Sequence, residues 1–279
     1  MSGPGAEDRA GDEAGPPGPG LSADGSAGAR PAPAARKRPR ELSRQQPRER
    51  PDEAVSGSHA SEVLAGAPGR WRWAEMVVLF GVAPAGLAAV SARAVIPLLV
   101  IGGVLVLAIL LWDRTFDRRF LVRLEGSLPR EVGRVGAIWL AAVVLLTPAV
   151  ALAAPDEFLQ MPRERPRLWV AIMLLYPLLS VYPQEVIFRA FFFHRYGPIL
   201  GDSARLIAVN ALAFGLAHAM FRNGIAVGMT TVGGALFAWT YWRTRSIPLV
   251  CLEHALYGCF VFTVGLGEYF YTGAIGRGE

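Results

Sequence analysis

The sequence predicts an all-α fold, a polytopic bundle of about seven transmembrane helices with a disordered N-terminal tail. Three observations predict it. Over residues 71–279, long apolar runs alternate with short Arg-rich connections, the pattern of a helical membrane protein. Ala94–Trp112 and residues 135–154 hold no charged side chain over 19 and 20 residues, enough for a helix rising ~1.5 Å per residue to cross ~30 Å of hydrocarbon. Residues 1–70 carry almost no large apolar side chain and are filled with Gly, Pro, Ala, Ser, Arg and Glu, so they bury too little surface to offset the entropy of ordering.

Within the tail, residues 36–50 (RKRPRELSRQQPRER) set seven Lys or Arg against two Glu, but residues 1–70 as a whole balance ten basic and ten acidic side chains. The basic stretch therefore reads as a solvated topology signal and not as an arm for anionic lipid or nucleic acid, and no nucleic-acid partner is expected. The first thirty residues lack a basic region followed by an apolar core, so no cleavable signal peptide is expected and the first span directs insertion.

Candidate spans follow at 74–92, 94–112, 135–154, 168–195, 204–221, 224–242 and 246–267. The very short turns near Arg93 and Arg222 predict antiparallel neighbours, spans one with two and five with six. Arg114, Arg118, Arg119, Arg123, Arg130 and Arg134 crowd one connection, on the side that also receives Arg70, Arg72, Arg195, Arg205, Arg243 and Arg245. That excess predicts a cytoplasmic N-terminus and an external C-terminus. Trp71, Trp73, Trp112, Trp239 and Trp242 fall at the same interface, where indoles prefer to lie. Cys251 and Cys259 lie about 12 Å apart along one predicted helix, too far for a disulfide, and read as reduced core thiols.

Several polar residues break the apolar pattern. A charge near the bilayer centre costs roughly 2.5–3.5 kcal/mol, so such groups are retained where they pair, line a cavity or do chemistry. Spans four, five and seven hold Gln184, Glu185, Arg189, Asn210, His218, Glu253 and His254. Counted from the cytoplasmic ends of their spans, Glu185, His218 and His254 lie at depths of roughly 15, 21 and 12 Å, one slab in which an acid and two imidazoles can assemble a polar site. Asn210, Phe214 and His218 recur at i, i+4 and i+8 and share a helix face; Glu185 and Arg189 have the spacing of an intrahelical ion pair. Pro177 and Pro183 interrupt span four just upstream, and irregular backbone of this kind is tolerated beside a wet cavity. Each feature alone has a plain structural reading: Glu185 with Arg189 as a structural pair, a lone histidine as an interhelical hydrogen bonder. Glu253 is left as a possible cavity-lining group and His194 as interfacial.

On three successive polar spans, QEVIFR (184–189), FGLAH (214–218) and HALYG (254–258) resemble, in order and spacing, the EExxxR, FxxxH and HxxxN motifs of the CPBP family of intramembrane proteases, the type II CAAX prenyl endopeptidases and their bacterial relatives. The resemblance covers about residues 168–267. It implies an all-helical endopeptidase whose polar cavity cleaves membrane-associated or lipid-modified peptide substrates in the lipid bilayer, in a bacterial inner (plasma) membrane. Catalytic roles are implied for Glu185, His218 and His254, with Arg189 and Phe214 in support. In the family the first Glu and the FxxxH His activate water, the HxxxN His and Asn stabilise the oxyanion, and some accounts make the site a metal site. A Zn-type set would be Glu185, His218 and His254.

This chain departs from the motifs twice. Gln184 stands where the first Glu is expected, and an amide is no general base. Gly258 stands where the Asn is expected and brings no donor. Either Glu185 has taken over as base, with Asn210 or Tyr257 replacing the donor, or the chain keeps the scaffold without the chemistry and binds a lipid or peptide segment. A transporter is disfavoured, because no internal repeat is evident and the polar residues crowd at one level instead of forming a path across.

Overall fold

The computed structural model describes residues 69–270, apart from 88, 90–91, 125–127 and 202. The expectations placed on the tail and on its basic segment lie outside the described residues, except at 69 and 70; the turn expected near Arg93 is described only in part, and Arg93 itself falls inside a helix that begins at Ala92.

The described residues form helices joined by short turns, with no strand among them. Helix α1 runs Arg70–Val77 and continues through a π-helical turn, Val78–Val82, into Ala83–Leu87. Helix α2 is Ala92–Trp112, α3 is Leu128–Ala153, and α4 is the short Gln160–Glu164. Helix α5 starts at Pro166 and reaches Leu200 through successive α and π turns. Helix α6, Ser203–Ala217, ends in a 3-10 turn, His218–Phe221; α7 is Gly224–Thr244 and α8 is Ile247–Val264. Asn223 caps α7 by accepting from the Ala226 amide at 2.7 Å. Ser246 caps α8 by accepting from the Leu249 amide at 3.3 Å. Each cap satisfies a donor that a helix N-terminus leaves unpaired.

Among the described residues, five helices are long and apolar enough to cross a membrane: Ala94–Trp112, Pro129–Ala153, Pro166–Leu200, Ser203–Phe221 and Ile247–Val264. These coincide with five of the seven predicted spans. Of the other two, α7 is 21 residues long, but its glycines and threonines dilute its apolar content, and α1 is described as helix only to Leu87. Large aliphatic side chains such as Leu145, Leu152, Leu174 and Leu178 are left uncovered, a surface far more apolar than a soluble domain tolerates.

Helices α6 and α7 pack along their length, as the short turn at Arg222 predicts. The first two helices behave differently: α2 packs against α5, and α1 chiefly against α6 with a smaller contact to α5, in preference to each other. Phe80 of α1 anchors the contact with α5. Its ring meets Phe188, Phe192 and Tyr196 of α5 edge-on at centroid distances of 5.3, 4.9 and 5.7 Å, the arrangement aromatic quadrupoles favour. Helix α2 approaches α5 backbone-close because Gly103 faces Pro183; a Cβ at 103 would lie 2.6 Å from the Pro183 Cβ. Close approach at small residues is the usual means of helix association in lipid. The result places α5 at the centre, with its irregular middle facing α6 and α8.

Candidate active site

The middle of α5 alternates between two geometries. Pro177–Val181 and Val186–Phe191 are π turns, and Tyr182–Glu185 is a single α turn between them. A π turn changes the register of the side chains that follow it and is frequent at functional sites. Pro177 and Pro183, each lacking an amide hydrogen, supply local reasons for the irregularity.

Glu185 is fully buried. Its Oε2 lies 3.0 Å from Arg189 Nε, and its Oε1 lies 2.7 Å from His254 Nδ1. Arg189, also fully buried, donates Nη1 to Asn210 Oδ1 and stacks its guanidinium 4.8 Å from the centroid of Phe214. Asn210 in turn donates Nδ2 to the Phe188 carbonyl at 2.6 Å. Carboxylate and guanidinium thus form an ion pair across one helical turn while α6 ties the arginine in place, and pairing of this kind is what makes a buried charge tolerable.

The Glu185 carboxylate only accepts, so His254 Nδ1 carries the hydrogen, and in the neutral ring Nε2 is the acceptor. That acceptor is met by the Tyr176 hydroxyl at 3.0 Å. The imidazole is further held by stacking on Phe237, at 4.6 Å and 20°. A carboxylate, an imidazole and a phenol, from α5, α8 and α5 again, form one hydrogen-bonded line.

His218 opens the 3-10 turn at the end of α6. Its Nδ1 lies 2.7 Å from the carbonyl of Phe214, so Nδ1 donates and Nε2 keeps its lone pair. The Phe214 ring stands between the two imidazoles, 4.7 Å from that of His218 and 5.6 Å from that of His254.

Both imidazoles line a cavity of about 1080 Å³ whose wall is mostly aliphatic and aromatic. Its polar wall groups include Tyr176, Ser180, Gln184, His218, His254 and Tyr257; no Asp or Glu among the described residues lines it. Gln184 donates Nε2 to Ser180 Oγ at 2.8 Å, which leaves its amide oxygen as an acceptor. Glu185 is held behind this wall by Arg189 and His254. Glu253, the neighbour of His254, is fully buried and does not line the cavity; it lies within electrostatic reach of Arg134 and Arg189. At the bundle edge His194 Nε2 is 2.9 Å from Asp113 Oδ2.

A Zn-type set of Glu185, His218 and His254 does not fit this geometry. Both Glu185 oxygens face Arg189 and His254, both His254 nitrogens are engaged, and among the described residues no three His, Cys, Asp or Glu side chains gather as a ligand set.

Residues 166–260 match the model of the family described as Type II CAAX prenyl endopeptidase Rce1-like. The three motifs lie inside that segment. No curated protein and no solved structure matches the chain. The matched segment runs from the first residue of α5 through most of α8 and includes every side chain of the hydrogen-bonded line described above. The glycine at the end of the third motif is explained locally. A Cβ on Gly258 would collide with the ring and hydroxyl of Tyr176. Of the two residues expected to replace the missing donor, Asn210 spends both polar ends of its side chain on Arg189 and Phe188, while Tyr257 lines the cavity and its hydroxyl makes no hydrogen bond among the described residues. Tyr176 was missed in the sequence because it lies outside all three motifs, eight residues before Gln184, in a run that reads as uniformly apolar.

Proposed function

We propose that this chain is an intramembrane endopeptidase that hydrolyses a peptide bond in membrane-associated or lipid-modified protein segments, with His218 as the general base. The observation that carries the reading is the locked tautomer of His218: its Nδ1 is tied to the Phe214 carbonyl, and its ring lines the cavity with Nε2 free of protein partners among the described residues. In this scheme a water held by the Gln184 amide oxygen gives a proton to His218 Nε2 while its oxygen bonds to the peptide carbonyl carbon. The carbonyl π electrons move to oxygen. When the C–N bond breaks, its electron pair stays on nitrogen, which takes the proton back from His218, so His218 is base and then acid. Glu185 fixes His254, and Arg189 balances Glu185. The glutamate is thus a positioning residue and not the base, a role that its burial and its two partners support.

The reading extends to the whole chain. Residues 71–279 act as a multi-pass membrane domain, and residues 1–70 form a cytoplasmic tail, in a bacterial inner membrane with the N-terminus inside. A second reading is favoured by one observation: among the described residues, no carboxylate stands on the cavity wall. On that reading the chain holds a lipid or peptide segment without cutting it. Reconstitution in liposomes with a library of membrane-tethered peptides separates the two. New carboxyl termini found by mass spectrometry support the endopeptidase, whereas retention of an intact peptide or lipid, with no cleavage across the library, supports the binding protein.

A further inference from the structure

The third motif leaves the resemblance one group short, since HALYG ends on a residue with no side chain. In the fold, the volume above the Gly258 α-carbon is filled by the ring and hydroxyl of Tyr176, and a Cβ at 258 would overlap both. The glycine and the tyrosine are therefore a matched pair: the ring fits because position 258 is bare, and a larger residue at 258 requires the ring to leave. The tyrosine is held on its other sides as well. Its ring packs edge-on to Phe262 at 5.5 Å and to His254 at 6.0 Å, and its hydroxyl meets His254 Nε2 at 3.0 Å. Tyr176, His254 and Gly258 all line the same cavity as His218 and Gln184.

We propose that the Tyr176 hydroxyl, occupying the space above Gly258 and held by the His254–Glu185 line, is the hydrogen-bond donor that meets the carbonyl oxygen of the scissile bond. The inference rests on the endopeptidase reading and adds to it the residue that stabilises the developing oxyanion. In the resting site the phenol hydrogen lies toward His254 Nε2. Turning about the Cζ–Oη bond brings it toward the substrate oxygen, so no O–H bond is broken and no further reactant is needed. Charge balance favours the arrangement. Glu185 and Arg189 already neutralise each other, so a neutral donor meets the oxyanion without adding a second buried cation. A donor fixed by surrounding structure before the reaction begins is the feature that makes such sites effective. Ring packing alone would not require the hydroxyl, and this supplies the test.

Tyr176→Phe keeps the ring over Gly258 and deletes only the hydroxyl, together with its contact to His254. Its kcat on a cleaved peptide from the library is expected to fall about 100-fold or more, with KM held within about threefold. Tyr176→Ala is expected to be equally slow, and Tyr176→Ala/Gly258→Asn to recover at least about tenfold over that single variant, because the vacated space admits the amide. Wild type and His218→Ala are run alongside. Should wild type cut, His218→Ala stay silent and Tyr176→Phe cut at the wild-type rate, the role of Tyr176 is overturned and the endopeptidase reading stands. A wild type that cuts nothing overturns the reading and the inference with it.

Discussion

Glu185 and His254, 69 residues apart in the chain, meet at 2.7 Å inside the bundle, and the carboxylate spends its other oxygen on Arg189 at 3.0 Å. The acid is thereby consumed in orienting an imidazole and balancing a guanidinium.

Loss of that carboxylate charge should be felt first as instability. Glu185→Gln leaves Arg189 buried without its paired carboxylate, expected to cost about 3–5 kcal/mol. Glu185→Gln/Arg189→Met removes both charges and should lose less than the single variant. Thermal unfolding of the three proteins in one detergent checks the order.

Asn210 should behave as the second anchor of the same arginine. Asn210→Leu strands an Arg189 nitrogen and the Phe188 carbonyl, with an expected loss of about 1–3 kcal/mol per unsatisfied group. Asn210→Asp keeps an acceptor for the guanidinium and should retain more stability in the same unfolding assay.

The pairing of Gly258 with Tyr176 makes a prediction about size. Gly258→Ala forces a methyl into the ring and should destabilise by about 1–3 kcal/mol, the usual cost of overpacking. Tyr176→Phe should not relieve it, because the ring remains, whereas Tyr176→Ala should. Melting midpoints of the singles and doubles measure the coupling directly.

Acid should loosen the connection that follows α2. Asp113 is held below the usual carboxylate range first by the Thr115 hydroxyl, then by His194 and the Thr115 amide. A depressed folded-state pKa means the contribution is fully present above the unfolded value of about 3.9 and fades as pH falls through the folded value. Asp113→Asn should therefore show a shallower fall in melting midpoint than wild type between about pH 4 and the acid limit of the measurement. Equal slopes would show that Asp113 contributes nothing there.

Much of this architecture was legible in the sequence because bilayer length limits are strict: uncharged runs such as Ala94–Trp112 emerge as helices of the expected extent. The pairing of Glu185 with Arg189 was legible too, since one helical turn fixes it. Partner choice between helices was not. Lipid is as apolar as leucine, so hydrophobicity marks no inward face, and Phe80 choosing α5, or Glu253 turning away from the cavity, leaves no periodic trace. Tyr176 was hidden for a related reason. The π turns after it change the register on which i, i+4 reasoning depends, and its partners His254 and Gly258 come from a helix about 80 residues later.

The most direct measurement of the central claim is the initial cleavage rate of a membrane-tethered peptide by reconstituted wild type and by His218→Ala, with matched folding and protein density. The account predicts cleavage by wild type and a loss of at least about 100-fold when the imidazole is removed. Equal rates in the two proteins would contradict it.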